Sequence, residues 1–378
     1  MNIASILRAE GFTRRPLGEF VQFLDSQRVP IKASERKPGP YPYFGANGLQ
    51  DHVDGYIFDE KLVLLAEDGG NFDDPSRPIS YLVEGKCWVN NHAHVLRALP
   101  ALVPEYLNYQ LAYANVSAFL SGSTRPKLTK SDAMRISIVV PPVGVQHRIV
   151  DVLSRSENIV RMRRDAEQKA KDIIPALFLD IFGDPATNSK GWEVQTLAEL
   201  GTLDRGRSRH RPRDAPHLYG GKHPFVQTGD VTRSGGVITT YEQTYTDAGL
   251  AQSKQWPAGT LCITIAANIA ESGILTFDSC FPDSVVGFSP GSRVRTDYIQ
   301  QWLGFLQPTL AAQAPQAAQK NINLAILRRL KVPVPPLEPQ DAFADRVQSI
   351  RAIQSSQRNA IASADQVFHS LLARLFQR

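Results

Sequence analysis

Five arginines occupy every second position between Asp204 and Asp214: Arg205, Arg207, Arg209, Arg211 and Arg213, with His210 and Pro212 among them. In an extended segment, alternate residues point the same way, so this spacing predicts a row of guanidinium groups along one edge. Each group offers a planar fork of donors suited to an anion, and a row of them suits a phosphate backbone. A solvated basic loop without a partner is the plainer reading. Two further loops invite the same chemistry: Ser121 to Lys130, with Arg125, Lys127 and Lys130, and Gln316 to Asn323, with Gln319, Lys320, Asn321 and Asn323. Cations position a nucleic acid through its phosphates, while amides and guanidinium groups read base edges. Arg125, Lys127 and Lys320 fit phosphates better than bases. Asn47, Gln50 and His52 share one turn-rich stretch, and Asn and Gln pair bidentately with adenine. Asn and Ser in such loops also cap helices or close turns.

Other constellations compete. Asn90, Asn91, His92 and His94 look like a metal or catalytic cluster, but no third ligand accompanies them at metal spacing. In a strand, His92 and His94 would share one face and Asn91 the other, so a hydrogen-bonded structural role is expected. Asp73 or Asp74 followed by Glu84-Gly85-Lys86 imitates the acid…Glu-x-Lys pattern of a Mg-dependent endonuclease, and Asp25 with Glu35-Arg36-Lys37 does so less well. Neither pattern recurs later in the chain. Gln227-Thr228-Gly229-Asp230 reads as a turn whose Asp positions a loop. There is no G-x-x-x-x-G-K-[ST] loop, no G-x-G-x-x-G and no Asn/Asp-Pro-Pro-aromatic run. The chain itself is therefore expected to bind neither ATP nor S-adenosylmethionine. No catalytic or metal residue is assigned.

The elements that must position these residues occur twice. Pro141-Pro142-Val-Gly-Val-Gln146 returns as Pro335-Pro336-Leu-Glu-Pro-Gln340, at an offset of 194 that also pairs Arg135 with Arg329, Asp151 with Asp345 and Phe182 with Phe376. Upstream, Gly11-Phe12 and Gly191-Trp192 match at an offset of 180, so the second copy carries about 14 extra residues in its middle. Each copy reads as a mixed α/β module followed by a long helix. Strands are expected at 56–58, 61–66, 81–83 and 261–265, helices at 104–113 and 296–306, and a strand stopped by Pro-Pro at 136–142 and 330–336. The boundaries are then 1–143, 144–184, 185–336 and 337–378.

Both long helices carry heptad seams. In the first, Val152, Ile159, Ala166 and Ile173 form one column, with Leu153 and Val160 beside it and Pro175 as an expected kink. In the second, Val347, Ile350, Ile361, Phe368 and Leu371 belong to the seam. The duplication predicts an α+β fold whose two helices pack as an antiparallel coiled coil about a pseudo-twofold axis. A helix of roughly 36 residues would span about 54 Å.

Composition sets the bounds. At 378 residues with 42% hydrophobic and 21% charged residues, the chain is expected to be globular with two or three domains. No apolar run approaches the roughly 20 residues of a membrane helix, so no membrane partner is expected. Three scattered cysteines suit a reducing cytoplasm. Net charge is +5, yet residues 1–143 balance 15 basic against 15 acidic residues, whereas residues 185–334 carry 15 against 11. The basic excess is local.

The chain resembles the specificity (S) subunits of Type I restriction-modification systems over essentially its whole length. The residues that carry the resemblance are Tyr41 to Gly48, Leu64 to Asn71, Trp88 to His94, His223 to Asp230, Gln319 to Asn323, Phe178 to Asp184 and the two Pro-Pro-x-x-x-Gln runs. The resemblance implies two target-recognition domains, each reading half of a bipartite site in double-stranded DNA, and spacer helices that set the gap. It implies two methyltransferase (M) subunits and restriction/translocase (R) subunits as partners. S-adenosylmethionine, ATP and Mg would belong to those partners, with no cofactor in this chain. A coiled-coil scaffold without DNA binding is a third reading, and it leaves the arginine row unexplained.

Overall fold

The computed structural model describes residues 14–376 except 75, 123, 267–268 and 314–321, and at residue 313 the backbone alone. Two units share the chain. The first is formed by residues up to Arg164 together with those from Asn359 onward, the second by Asp165–Arg358.

In the first unit, β1 (Arg14–Pro16) is followed by β2 (Val21–Phe23), β3 (Pro38–Gly45), β4 (Gly48–Val53), β5 (Phe58–Asp59), β6 (Leu62–Ala66), β7 (Ser80–Val83), β8 (Lys86–Val89) and β9 (Ala93–Ala98). Strands β2 to β9 build two four-stranded sheets, in the orders β2-β9-β6-β7 and β4-β3-β8-β5. All five residues of β6 are buried, as a continuous apolar run inside a covered sheet requires. Helix α1 (Pro104–Ala112) begins on a proline, whose missing N–H costs nothing in a first turn. Next come β10 (Leu120–Ser121), β11 (Lys127–Leu128) and β12 (Ser137–Val139), with β12 pairing to β1. The long helix α2 (Val143–Ala170) follows. The core of this unit joins Tyr106, Leu107 and Leu111 of α1 to Ile149 and Leu153 of α2 and to Phe368 and Leu372 near the C-terminus.

The second unit opens with α3 (Ile173–Phe182) and repeats the same plan. Its strands are β13 (Glu193–Thr196), β14 (Gly201–Arg205), β15 (Tyr219–Phe225), β16 (Val237–Ile238), β17 (Gln243–Tyr245), β18 (Gln255–Trp256), β19 (Leu261–Thr264), β20 (Ser272–Leu275), β21 (Ser279–Cys280), β22 (Val285–Pro290) and β23 (Lys331–Val334). The sheets run β14-β22-β19-β20-β16 and β17-β15-β21-β18, and β13 pairs with β23. The two main sheets and the β1–β12 pair of the first unit recur here, with β16 added; the β10–β11 pair has no counterpart among the described residues. In both units the pair made by the long strand after the first loop and a later short one (β3 with β8, β15 with β21) is parallel. Much of the extra length is visible: Ala46 and Asn47 alone link β3 to β4, whereas residues 226–242, with a short helix Thr228–Arg233 and β16, link β15 to β17. Helix α4 (Thr296–Gln313) corresponds to α1, and α5 (Leu337–Phe376) is the second long helix.

The repeated glutamine has a physical explanation. Gln146 is fully buried; its Oε1 accepts the Val103 N–H, and its Nε2 donates to the carbonyls of Ala101 and Pro141, each at 2.8 Å. Gln340 does the same with the Arg295 N–H and the carbonyls of Arg293 and Pro335. One side-chain amide thus satisfies three backbone groups at each point where proline ends a strand and a long helix starts.

The helices differ from expectation in two ways. In the first helix the buried line is Ile149, Leu153 and Val160, while Ile159 is 50% and Ile173 is 47% exposed and Val152 and Ala166 are half-buried. The column Val152, Ile159, Ala166 and Ile173 is therefore not the seam: Gln146 ties the first turn to the start of α1, and Ile149 and Leu153 then enter the core beside it, which buries the neighbouring column. Pro175 causes no kink inside a helix. The helix stops at Ala170 and restarts at Ile173, which puts Pro175 in a first turn where its missing N–H has no role. Along α5 the expected seam holds its place: Phe343, Val347, Ile361 and Phe368 are buried, and Ile350 and Leu371 are half-buried. Within the second unit α5 runs antiparallel to residues 170–182, since Gln354 Nε2 donates to the Ala170 carbonyl at 2.8 Å while Phe343 meets Phe178 and Phe182 edge-on. Within the first unit Arg164 pairs with Asp365 at 2.6 Å. Each unit thus closes its core with part of both long helices, so the division at 164/165 and 358/359 falls inside them.

Candidate DNA interface

In the first unit, sequence-distant residues meet beyond the end of β6. The β3–β4 turn presents Asn47 on the surface, and its Nδ2 donates to the Gly69 carbonyl at 2.9 Å. Gly69 has φ +64, a left-handed conformation that glycine adopts without cost. Glu67 and Asp68 stand just before it. The Leu128 N–H bonds to the Glu67 carbonyl at 2.7 Å, which fixes the loop carrying Arg125 and Lys127. Lys127 Nζ lies 3.0 Å from Glu67, and Arg125 lies 2.9 Å from Asp68. Lys130 is exposed, with Nζ 5.5 Å from the Phe23 ring centroid. Arg125 and Lys127, two of the three cations expected at phosphates, therefore carry carboxylate partners.

A buried ionic cluster lies behind these pairs. His94, 1% exposed, meets Asp25 Oδ2 through Nδ1 at 2.7 Å and the Leu128 carbonyl through Nε2 at 2.8 Å. Arg28 reaches Glu67 at 2.7 Å and Asp25 at 3.7 Å. Burial opposes the charge of Asp25, but His94, the Val95 N–H and Arg28 outweigh it and hold the carboxyl below its ordinary value. Glu67 is held low in the same way: burial opposes its charge, and bonds from Arg28 and Lys127 outweigh it. The ligand atoms of Asp25, Glu67 and His94 lie within 4.8 Å of one another. The guanidinium of Arg28 already supplies the positive charge there, and both imidazole nitrogens face acceptors. The sequence signal for this cluster was slight: an apolar strand running straight into Glu67-Asp68-Gly69-Gly70, with its partners 24 to 60 residues away in the chain.

The remaining candidates separate. Gln50 accepts from Asn90 Nδ2 at 3.2 Å, and buried Asn90 accepts the His92 N–H at 2.8 Å, so Asn90 is a structural residue. His52 lies exposed on β4. Residues 90–92 form a turn and not a strand, so His92 and His94 do not share a strand face; His92 Nδ1 bonds Asp68 at 2.5 Å instead. The endonuclease pattern does not assemble: Glu84 pairs with Lys61, Lys86 lies over Tyr56 and Asp74 bonds Ser76.

In the second unit, Arg205 ends β14, and the chain continues extended. Arg205, Arg207 and Arg209 are exposed while Gly206 and Ser208 between them are buried, so the expected alternation is present over this stretch. The three guanidinium groups have no carboxylate partner among the described residues; neighbouring Asp204 is taken by Lys254 at 3.5 Å and Arg328 at 3.8 Å. Beyond residue 209 the row ends. Arg211 folds back onto the carbonyls of Ser208 and His210, and Arg213 pairs with Asp283 at 2.8 Å, because the chain turns at 210–214 and brings those acceptors close. Asn323 is an N-cap: its Oδ1 accepts the Ile326 N–H at 3.0 Å, as Thr129 caps the corresponding helix in the first unit. Gln227 and Asp230 form a capping box, the positioning role expected of that turn. Gln319, Lys320 and Asn321 lie outside the described residues.

Comparison with known proteins places this surface in context. The model of the Type I restriction modification DNA specificity domain matches residues 9–171 and again residues 189–362. The chain belongs to this family. It is a DNA sequence-specificity subunit with two recognition domains, and not a catalyst. The type I restriction enzyme specificity subunit S.HindORF215P of Haemophilus influenzae is 41% identical over 140 residues, a match that spans 37% of this specificity subunit and 36% of that one. The EcoDI specificity subunit of Escherichia coli is 22% identical across 96% of this chain and 87% of its own length. The crystal structure of a type I system S subunit from M. genitalium shares the fold, with TM-score 0.62 at 14% identity over 97% of this chain and 96% of that one. A chain from a structure of complex assembly in the type I R-M system does so with TM-score 0.60 at 17% identity, over 97% of this chain and 98% of that one. Among the described residues no helix is long and apolar enough to cross a membrane.

Proposed function

We propose that this specificity subunit reads a bipartite target in double-stranded DNA, one half-site per recognition domain, inside a Type I restriction-modification complex in the cytoplasm. The observation that carries the reading is the duplicated domain with a solvent-exposed arginine row on one copy, Arg205, Arg207 and Arg209, which has no carboxylate partner among the described residues. Three such guanidinium groups on an extended edge match the spacing and charge of a phosphate backbone. Two M subunits bind to it, one for each half of the duplication, and R subunits join that assembly. S-adenosylmethionine, ATP and Mg act on those partners, and this chain holds no cofactor. The long helices separate the half-sites. Hydroxyl-radical footprinting of the chain assembled with its methyltransferase partner is expected to show two protected blocks with a gap. One contiguous footprint, or protection without sequence preference, overturns the reading.

A further inference from the structure

Arg125 is a tethered cation on the surface of the first unit. Its guanidinium is held 2.9 Å from Asp68 Oδ1, and that same oxygen faces His92 Nδ1 at 2.5 Å. It lies across Gly69, where an added Cβ would come within 3.1 Å of its Nη2. Asn47 ties the β3–β4 turn to the carbonyl of that same glycine. The side chain is nonetheless 63% exposed, so an oriented guanidinium is presented to solvent beside an oriented amide.

The neighbouring charges tell what it faces. A phosphate brought to Arg125 would approach the Asp68 carboxylate as well, and the neighbouring cation, Lys127, is committed to Glu67. That is a poor phosphate site. A guanine edge is uncharged and offers two acceptors, N7 and O6, that match a guanidinium fork. Of the five N–H donors of an arginine, Asp68 engages only the Nη2 end. We propose that Arg125 reads a guanine in one half-site and that Asp68 is the positioning residue that aims it. The proposal rests on the bipartite reading above and adds a base and a residue to it.

The test is selection from a duplex library randomised in both half-sites, using the full chain with its methyltransferase partner, together with the salt dependence of binding. The native complex is expected to select G at one position of one half-site. Arg125→Ala should lose that preference roughly tenfold or more, with the other positions and the salt slope unchanged. Arg125→Lys keeps the charge but lacks the fork, and should lose the preference as well. Asp68→Asn should flatten the same position while raising affinity for unrelated DNA, because a negative charge leaves the face; a merely misfolded variant would lower both. Uniform weakening by Arg125→Ala with a slope shallower by about 0.9 would mark a phosphate contact and overturn the proposal. So would an unchanged base preference in both Arg125 variants. A native complex without two half-sites defeats the bipartite reading first, and this assignment with it.

Discussion

Glu67 and Ile265 hold the same place in the two units. Each donates its N–H across the sheet, to the carbonyls of His92 and Ser284, and each accepts an N–H from the segment before the capped short helix, that of Leu128 at 2.7 Å and of Ile322 at 3.0 Å. The register carries the match further, setting His94 against Val286 and Asp25 against Arg205. The first unit fills these positions with an ionic cluster that fastens Arg125 and Lys127 to carboxylates. The second fills two of them with apolar side chains and turns the third, Arg205, out to solvent. One hydrogen-bonded frame therefore carries two charge designs. Backbone pairing reproduces the fold whatever the side chains, so the outer faces are free to differ, as readers of two unlike half-sites must.

The frame itself should respond equally in both copies. Gln146→Ala and Gln340→Ala each leave one N–H and two carbonyls unpaired next to a buried helix start. Each is expected to destabilise its own unit by on the order of 3 kcal/mol, read by calorimetry; a large loss in one unit alone would break the equivalence. The charge designs should respond unequally. Replacing Arg205, Arg207 and Arg209 with Ala should weaken binding to every sequence and lower the salt slope by about 0.9 for each phosphate that is no longer neutralised. If the slope is unchanged, the row faces no phosphate.

A smaller effect separates the units in acid. Asp25 and Glu67 are held below their ordinary values of 3.8 and 4.5. Their contribution is fully present above those values and is lost as pH falls through them toward the lower values of the folded state. Acid unfolding should therefore begin in the first unit, and Glu67→Gln should flatten its stability against pH while lowering its stability at neutral pH. Hydrogen exchange resolved by unit reads this directly, and equal acid sensitivity of the two units would count against the cluster.

The repeat, the Pro-Pro-x-x-x-Gln helix starts, the strands ending in proline and the exposed face of Arg205 to Arg209 were all legible in the residues. They depend on local rules: alternation along an extended segment, the missing N–H of proline, and periodicity. Tertiary structure alone decided the rest. It set Asp68 beside Arg125, 57 residues on, and Asp25 beside His94, 69 residues on; it buried Leu153 and Val160 in place of Val152 and Ile159, and it ended the helix before Pro175. Strand register and the rotation of a helix against its sheet determine such contacts, and a one-residue shift in either changes every partner. Arg125 and Lys127 invite a polyanion in the sequence, and only the fold reveals that carboxylates already hold both.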